Sequence, residues 1–383
     1  MSEIYLFSDS WHVISTSIVF LFGFFFTIKI AKYFSLGQKG AAYIYFYHTV
    51  FCIFYLLYIL KNGGDATTYF LKGAEPLVDF KPGTVAVIYL VNLLHQLELS
   101  ILGMFLVFNI FGVIGLCAFY GALNKVTSNS SLYLRRVVLL AVFLPSVSFW
   151  SSGLGKDAIS FMAMGLALYA ALNFRKQLPL LSLAILFMLL VRPHIAGMMV
   201  IALSISVFLQ KDIPLIPKII IGGLSLAGMV VMVPFALNYA GLESDASDLE
   251  SYIDKRQGYN QKGGGGVDIS SMSLPMQMTT YIVRPLPFEA RSISQLLASI
   301  DNVFLLALLL MGLKAKVKYR KLKLVGNRAF MWSYVGICWV LLSMTTANLG
   351  IAMRQKWMFV PILLFLLISI LAAAESRKVE HND

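Results

Sequence analysis

Residues 145–157 read PSVSFWSSGLGKD, and this stretch decides how the chain is organised. Long apolar runs flank it on both sides. A proline, four serines, two glycines, a lysine and an aspartate are costly in hydrocarbon, so the stretch belongs at or inside a membrane boundary. A charged group in or beside a span marks a functional site by default. The stretch also reads as a helix start. Ser151 or Ser152 is placed to cap it, and residues 158–171 are apolar and strongly helix-forming. A helix N-terminus with a lysine in its first turn attracts anions.

Working outward, the composition supports a membrane setting. Of 383 residues 58% are hydrophobic and 13% charged, with a mean hydropathy of +0.77, which no soluble domain of this length shares. The net charge of +12 would suggest nucleic acid in a soluble protein. Here the positive-inside rule explains it, and no nucleic-acid partner is expected. Cys52, Cys117 and Cys338 lie far apart inside apolar runs, without metal-ligand spacing, and read as buried thiols. The acidic N-terminus lacks a basic n-region and a small-residue cleavage site, so no cleavable signal is expected.

The pattern is that of an all-α polytopic integral membrane protein, a single membrane domain over 1–383. Eleven spans are expected, at about 12–31, 40–60, 97–122, 136–150, 154–174, 178–192, 194–210, 217–239, 296–313, 329–348 and 356–374. Residues 84–96 are apolar but carry Asn92 and His95, and read as an amphipathic helix on the outer surface. Counted as a further span, they would strand Lys29, Lys32 and Lys39 outside. With the N-terminus outside and the C-terminus cytoplasmic, most of the 31 lysines and arginines fall on the inner side, including the dense run at 314–328. Asp65, Lys156, Asp157, Arg192, His194, Arg284, Glu289, Arg354 and Lys356 then all come out on the external side.

Each of these has a functional and a bland reading. Asp65 follows two glycines in GGDATTYF (63–70) and is a turn aspartate, a general base or a lysine partner. GLGKD (153–157) is not a nucleotide loop: Trp150 stands where the Walker pattern needs glycine, and Asp157 where it needs Ser or Thr. Lys156 and Asp157 are either a phosphate-contacting helix start or an internal pair. VRPHIAG (191–197) splits two short apolar runs, so Arg192 and His194 sink into the outer leaflet and Pro193 breaks the helix. Arg192 then snorkels or binds substrate, and His194 is a satisfied polar residue or a contact.

The segment 240–295 reads as one large external loop. Its first part is acidic, KGGGG (262–266) is a hinge or a slack connection, and RPLPFEARS (284–292) presents Arg284 and Glu289 on a proline-stiffened backbone. In NLGIAMRQK (348–356), a tight hairpin, Arg354 and Lys356 are interfacial anchors or ligand contacts. There is no HExxH, no paired cysteine, no nucleotide fold and no internal repeat, and carboxylates in the middle of spans are almost absent.

PSVSFWSSGLGKDA, VRPH, RPLPFEA and RQKWMFVP together resemble motifs of bacterial polytopic proteins of surface-polysaccharide synthesis. These are the Wzy/EpsG-like repeat-unit polymerases and the wider GT-C-like glycosyltransferases. The resemblance spans most of the chain through short motifs. It implies a bacterial inner-membrane enzyme using an undecaprenyl-pyrophosphate-linked oligosaccharide at the outer face, without metal or other cofactor. It implies membrane lipid as surroundings and a chain-length regulator protein as a further partner. Arg192, Arg284 and Arg354 carry over as pyrophosphate contacts, joined by Lys156, Lys356 and His194. The base is expected among Glu289, Asp157 and Asp65, in that order. The GT-C-like pattern places its catalytic acid after the first span, whereas Asp65 follows the second. A transferase using a polyprenyl-phosphate sugar and a flippase without chemistry are the alternatives.

Overall fold

The computed structural model describes residues 6–210, 216, 218–219, 222–223, 266–269, 271–290, 292–319 and 322–379. It is helical throughout: among the described residues there is no strand, and one isolated antiparallel bridge joins Gly266 to Asn348. Six helical segments among the described residues are long and apolar enough to cross a membrane: Ser10–Tyr33, Gln38–Asn62, Ile101–Thr127, Leu132–Ser151 (two helices in series), Gln295–Lys318 and Val360–Lys378. Four other expected spans are helices: Lys156–Leu172, Leu178–Val191, Pro193–Leu209 and Arg328–Thr345. They fall short of that measure of length and hydropathy. The expected span at 217–239 lies outside the described residues, apart from a few isolated positions.

The chain separates into two compact units interleaved in sequence. The first takes Met1–Lys125, Val142–Ala170 and Lys176–Arg192, and the second Val126–Ala141, Ala171–Arg175 and Pro193–Asp383.

In the first unit, Ser10–Tyr33 is capped by Asp9, whose carboxylate accepts from the His12 N–H at 2.8 Å. It packs on Gln38–Asn62 through Gly23, where an added Cβ would stand 2.7 Å from the Tyr45 hydroxyl. That hydroxyl donates to Phe20 O at 2.6 Å. Gly63 and Gly64 hold φ of 72° and 141°, a conformation that side chains resist, and this stops one helix and starts Asp65–Gly73. The amphipathic helix expected at 84–96 is present as Thr84–Gln96. Its polar residues close the neighbouring helix. Asn92 donates to Gly73 O at 2.9 Å and the His95 ring donates from Nε2 to Phe70 O at 2.8 Å, satisfying C-terminal carbonyls. Ile101–Thr127 runs through the core, with Phe105, Phe108 and Phe119 fully buried. It crosses Lys156–Leu172 at glycine: a Cβ on Gly165 would lie 2.5 Å from Gly115 O.

In the second unit, Pro193–Leu209 packs against Arg328–Thr345, and Gln295–Lys318 against the last helix, where Gly312 admits Leu367. The core holds Phe330, Tyr334, Phe359 and Phe365. The loop expected over 240–295 is only partly loop. It contains the helix Leu274–Val283 with Tyr281, Ile282 and Val283 buried, and the 3-10 turn Pro287–Glu289. Trp339 ties that helix down by donating to Met278 O at 2.8 Å. The KGGGG hinge falls outside the described residues except for Gly266.

Candidate functional site

The span expected at 136–150 is present as Leu132–Ser151, but it is broken where the PSVSFWS segment begins. Leu132–Val142 stops, Leu144 turns extended, and Pro145 opens the new helix Pro145–Ser151. The Phe143 carbonyl, beside the proline that cannot donate back to the preceding turn, accepts from the Tyr47 hydroxyl at 2.6 Å. Ser151 and Ser152 do not cap the following helix. They finish the preceding one, donating to Val147 O at 2.6 Å and Phe149 O at 3.3 Å. Ser151 Oγ also lies 3.0 Å from His48 Nε2, and the three residues Gly153, Leu154 and Gly155 separate both serines from the helix that restarts at Lys156. Gly153 has no room for a side chain, since a Cβ would come within 1.9 Å of the Tyr55 ring.

Four of the expected site residues belong to this first unit. Lys156 Nζ donates to Thr84 Oγ1 at 3.0 Å. Arg192 donates through Nη2 to Asp157 Oδ1 and through Nε to Ser160 Oγ at 3.1 Å. Ser160 Oγ donates in turn to Lys156 O at 2.7 Å. Arg192 and Asp157 have side chains only 10% and 12% exposed, so the pair is deeply placed. The break at Pro193 is present, and Arg192 is the non-helical cap residue between two helices. Gly83 N–H donates to Leu190 O at 2.7 Å, fastening the start of Thr84–Gln96 to the end of Leu178–Val191. Asp65 is exposed at the first position of its helix, and that helix lays Tyr69 against Gly155. The GLGKD turn is thus bordered by Asp65's helix, Thr84 and Arg192. Two cations, one ion-paired carboxylate and the positive end of a 17-residue helix meet there.

The other expected residues belong to the second unit. Arg284 grips Glu289 with its Nε at 2.8 Å and Nη2 at 2.7 Å, both on Oε1, while Oε2 accepts from the Leu286 N–H at 2.8 Å. Both carboxylate oxygens are therefore in use. Partial burial raises the Glu289 pKa. The Arg284 hydrogen bond, the Leu286 N–H and the Arg284 charge outweigh it, and the carboxyl sits below its ordinary range.

Lys356 is 1% exposed in a 3-10 turn before the last helix and donates to Asn302 Oδ1; Asn302 in turn donates to Pro285 O at 2.8 Å. RPLPFEA and RQKW are therefore joined through one asparagine. Arg354 is half-buried near the end of the short helix Leu349–Gln355, which replaces the expected hairpin, and His194 is half-buried in the first turn of Pro193–Leu209.

Sequence reasoning missed Thr84, Ser160, Asn302 and Asp301. The last two are buried in the helix Ile293–Lys318, inside an expected span. An adjacent Asp-Asn pair in an apolar run was the available signal. The three cysteines are free and buried, as expected.

Comparison with protein-family models, with curated proteins and with solved structures finds no match.

Proposed function

We propose that this protein is a polytopic membrane glycosyltransferase that polymerises glycan repeat units from an undecaprenyl-pyrophosphate-linked donor at the outer face of a bacterial inner membrane. In this reading about eleven helices span the bilayer, with the N-terminus outside and the C-terminus cytoplasmic, as the charge asymmetry favours.

The observation that carries the reading is the GLGKD turn. It places Lys156 at a helix N-terminus, beside the buried Arg192–Asp157 pair and under the helix that begins at Asp65. A lysine at a positive helix end suits a lipid pyrophosphate. Transfer breaks the bond between the anomeric carbon and the phosphate oxygen and forms one to the acceptor hydroxyl. The leaving pyrophosphate keeps the electron pair, and Lys156 and Arg192 stabilise the charge that develops. The acceptor's proton goes to a carboxylate.

Among the three carboxylates considered, Asp65 suits this best. Glu289 spends both oxygens on its own loop and Asp157 is bound to Arg192; Asp65 is exposed at the start of the helix whose Tyr69 lies against Gly155. Arg284, Arg354, His194 and Lys356 serve the second unit, where Arg284 and Lys356 hold the proline loop.

The test is reconstitution. Protein in liposomes is given a purified lipid-linked repeat unit. Longer lipid-linked glycan and free undecaprenyl pyrophosphate support the polymerase. Unaltered oligosaccharide that merely changes leaflet identifies a flippase instead, and transfer confined to polyprenyl-phosphate sugars identifies a monosaccharide transferase.

A further inference from the structure

A second polar cluster lies behind the turn, inside the apolar core of the first unit. His48 is fully buried and stands between two partners: Nδ1 is 2.6 Å from Asn109 Oδ1 and Nε2 is 3.0 Å from Ser151 Oγ. Asn109, also fully buried, donates from Nδ2 to Thr49 Oγ1 at 2.9 Å. That bond directs its carbonyl oxygen at His48, so Nδ1 carries the imidazole proton and Nε2 is the acceptor facing Ser151 Oγ, whose single proton is shared between Nε2 and Val147 O. The chain Thr49–Asn109–His48–Ser151 links Gln38–Asn62, Ile101–Thr127 and the last residue of Pro145–Ser151. None of these groups has water to fall back on, so each link is expensive to break.

The backbone around it is equally constrained. A Cβ on Gly112 would strike Ser151 O at 2.2 Å and His48 Cε1 at 2.5 Å. Gly153 lies on Tyr55, and beyond the turn the Gly115–Gly165 crossing seats the helix that begins at Lys156. Gln38–Asn62 and Ile101–Thr127 therefore hold both ends of the turn, and His48 is the polar pin at its entrance.

We infer that His48, acting through Ser151 and held by Asn109, is a positioning residue that fixes where the GLGKD turn presents Lys156 and Asp157. Its catalytic consequence rests on the proposed reading of that turn; its structural consequence does not.

Two readouts separate these. Hydrogen exchange of the amides at 153–157 is measured in the full-length protein in nanodiscs, for wild type, His48→Ala, His48→Gln and Ser151→Ala. His48→Ala should speed exchange there by about tenfold or more while amides of Ser10–Tyr33 stay unchanged. Ser151→Ala, which removes a single hydroxyl, should produce part of the effect in a protein that folds even if His48→Ala does not. His48→Gln, which keeps a donor and an acceptor, should restore most of the protection. In the transfer assay, His48→Ala should lower kcat by about tenfold or more with KM changed by less than about threefold, since misplacement of reacting groups acts on the transition state. Unchanged exchange at 153–157 in both His48→Ala and Ser151→Ala overturns the inference, whatever happens to the melting temperature. If wild-type protein transfers no sugar, the polymerase reading fails and the exchange result still decides the role of His48.

Discussion

The guanidinium of Arg192 is bound to the carboxylate of Asp157 across 35 residues of sequence. Both side chains are nearly removed from solvent, and Ser160 takes the second guanidinium edge. Removing one partner leaves an uncompensated buried charge, at a cost of about 3–5 kcal/mol. Arg192→Ala and Asp157→Ala should each lower the melting temperature markedly in detergent. Arg192→Met with Asp157→Leu, which removes both charges and keeps the volume, should recover much of that loss. The double variant should still fail in transfer, because the cation is gone. Additive thermal losses in the double variant would mean the two groups do not act as a pair.

Glu289 makes a pH prediction with a definite sign. Its folded pKa lies below the ordinary value of 4.5, so between the two values the unfolded chain binds more protons. The stabilisation is present above pH 4.5 and is lost as pH falls through the lower folded value. Glu289→Gln should therefore melt below wild type at pH 6–7, by a small margin given the group's exposure. The two melting curves should converge as pH drops well under about 4. A gap that persists at low pH would assign the effect to shape rather than charge.

Asn302 is the joint between two loops that sequence order keeps apart. Asn302→Leu would strip a buried lysine of one acceptor and the Pro285 carbonyl of a donor. Hydrogen bonds to charged groups contribute about 1.5–3 kcal/mol, so the melting temperature should fall by several degrees. Limited proteolysis should find the 284–292 segment more readily cut in Asn302→Leu than in wild type. Equal cutting would show that the loop is held by other means.

Much of the helical skeleton was legible because long apolar runs admit few alternatives. The helices near 12–31 and 40–60, the amphipathic helix at 84–96 and the break at Pro193 follow from hydropathy, charge and proline chemistry. What was not legible depends on neighbours distant in sequence. The nine-residue helix Asp65–Gly73 is too short to announce itself and is held by Asn92 and His95. His48 and Asn109 are lone polar letters in apolar runs, and their pairing is a fact of packing. Glu289 was expected to stand out from its loop as a base. Its spacing from Leu286 and Arg284 suits a capping turn equally well, and local hydrogen bonds took that option.

If the GLGKD turn receives a lipid pyrophosphate, photocrosslinking will locate the lipid there. A polyprenyl pyrophosphate with a photoreactive group near its phosphates is incubated with the protein in nanodiscs, irradiated, and the modified peptides are mapped by mass spectrometry. The account predicts adducts on peptides covering 65–73 and 153–160, suppressed by unlabelled undecaprenyl pyrophosphate but not by neutral polyprenol, and greatly reduced in Lys156→Ala. Adducts confined to lipid-exposed faces such as Ser10–Tyr33, indifferent to the competitor and to Lys156, would contradict it.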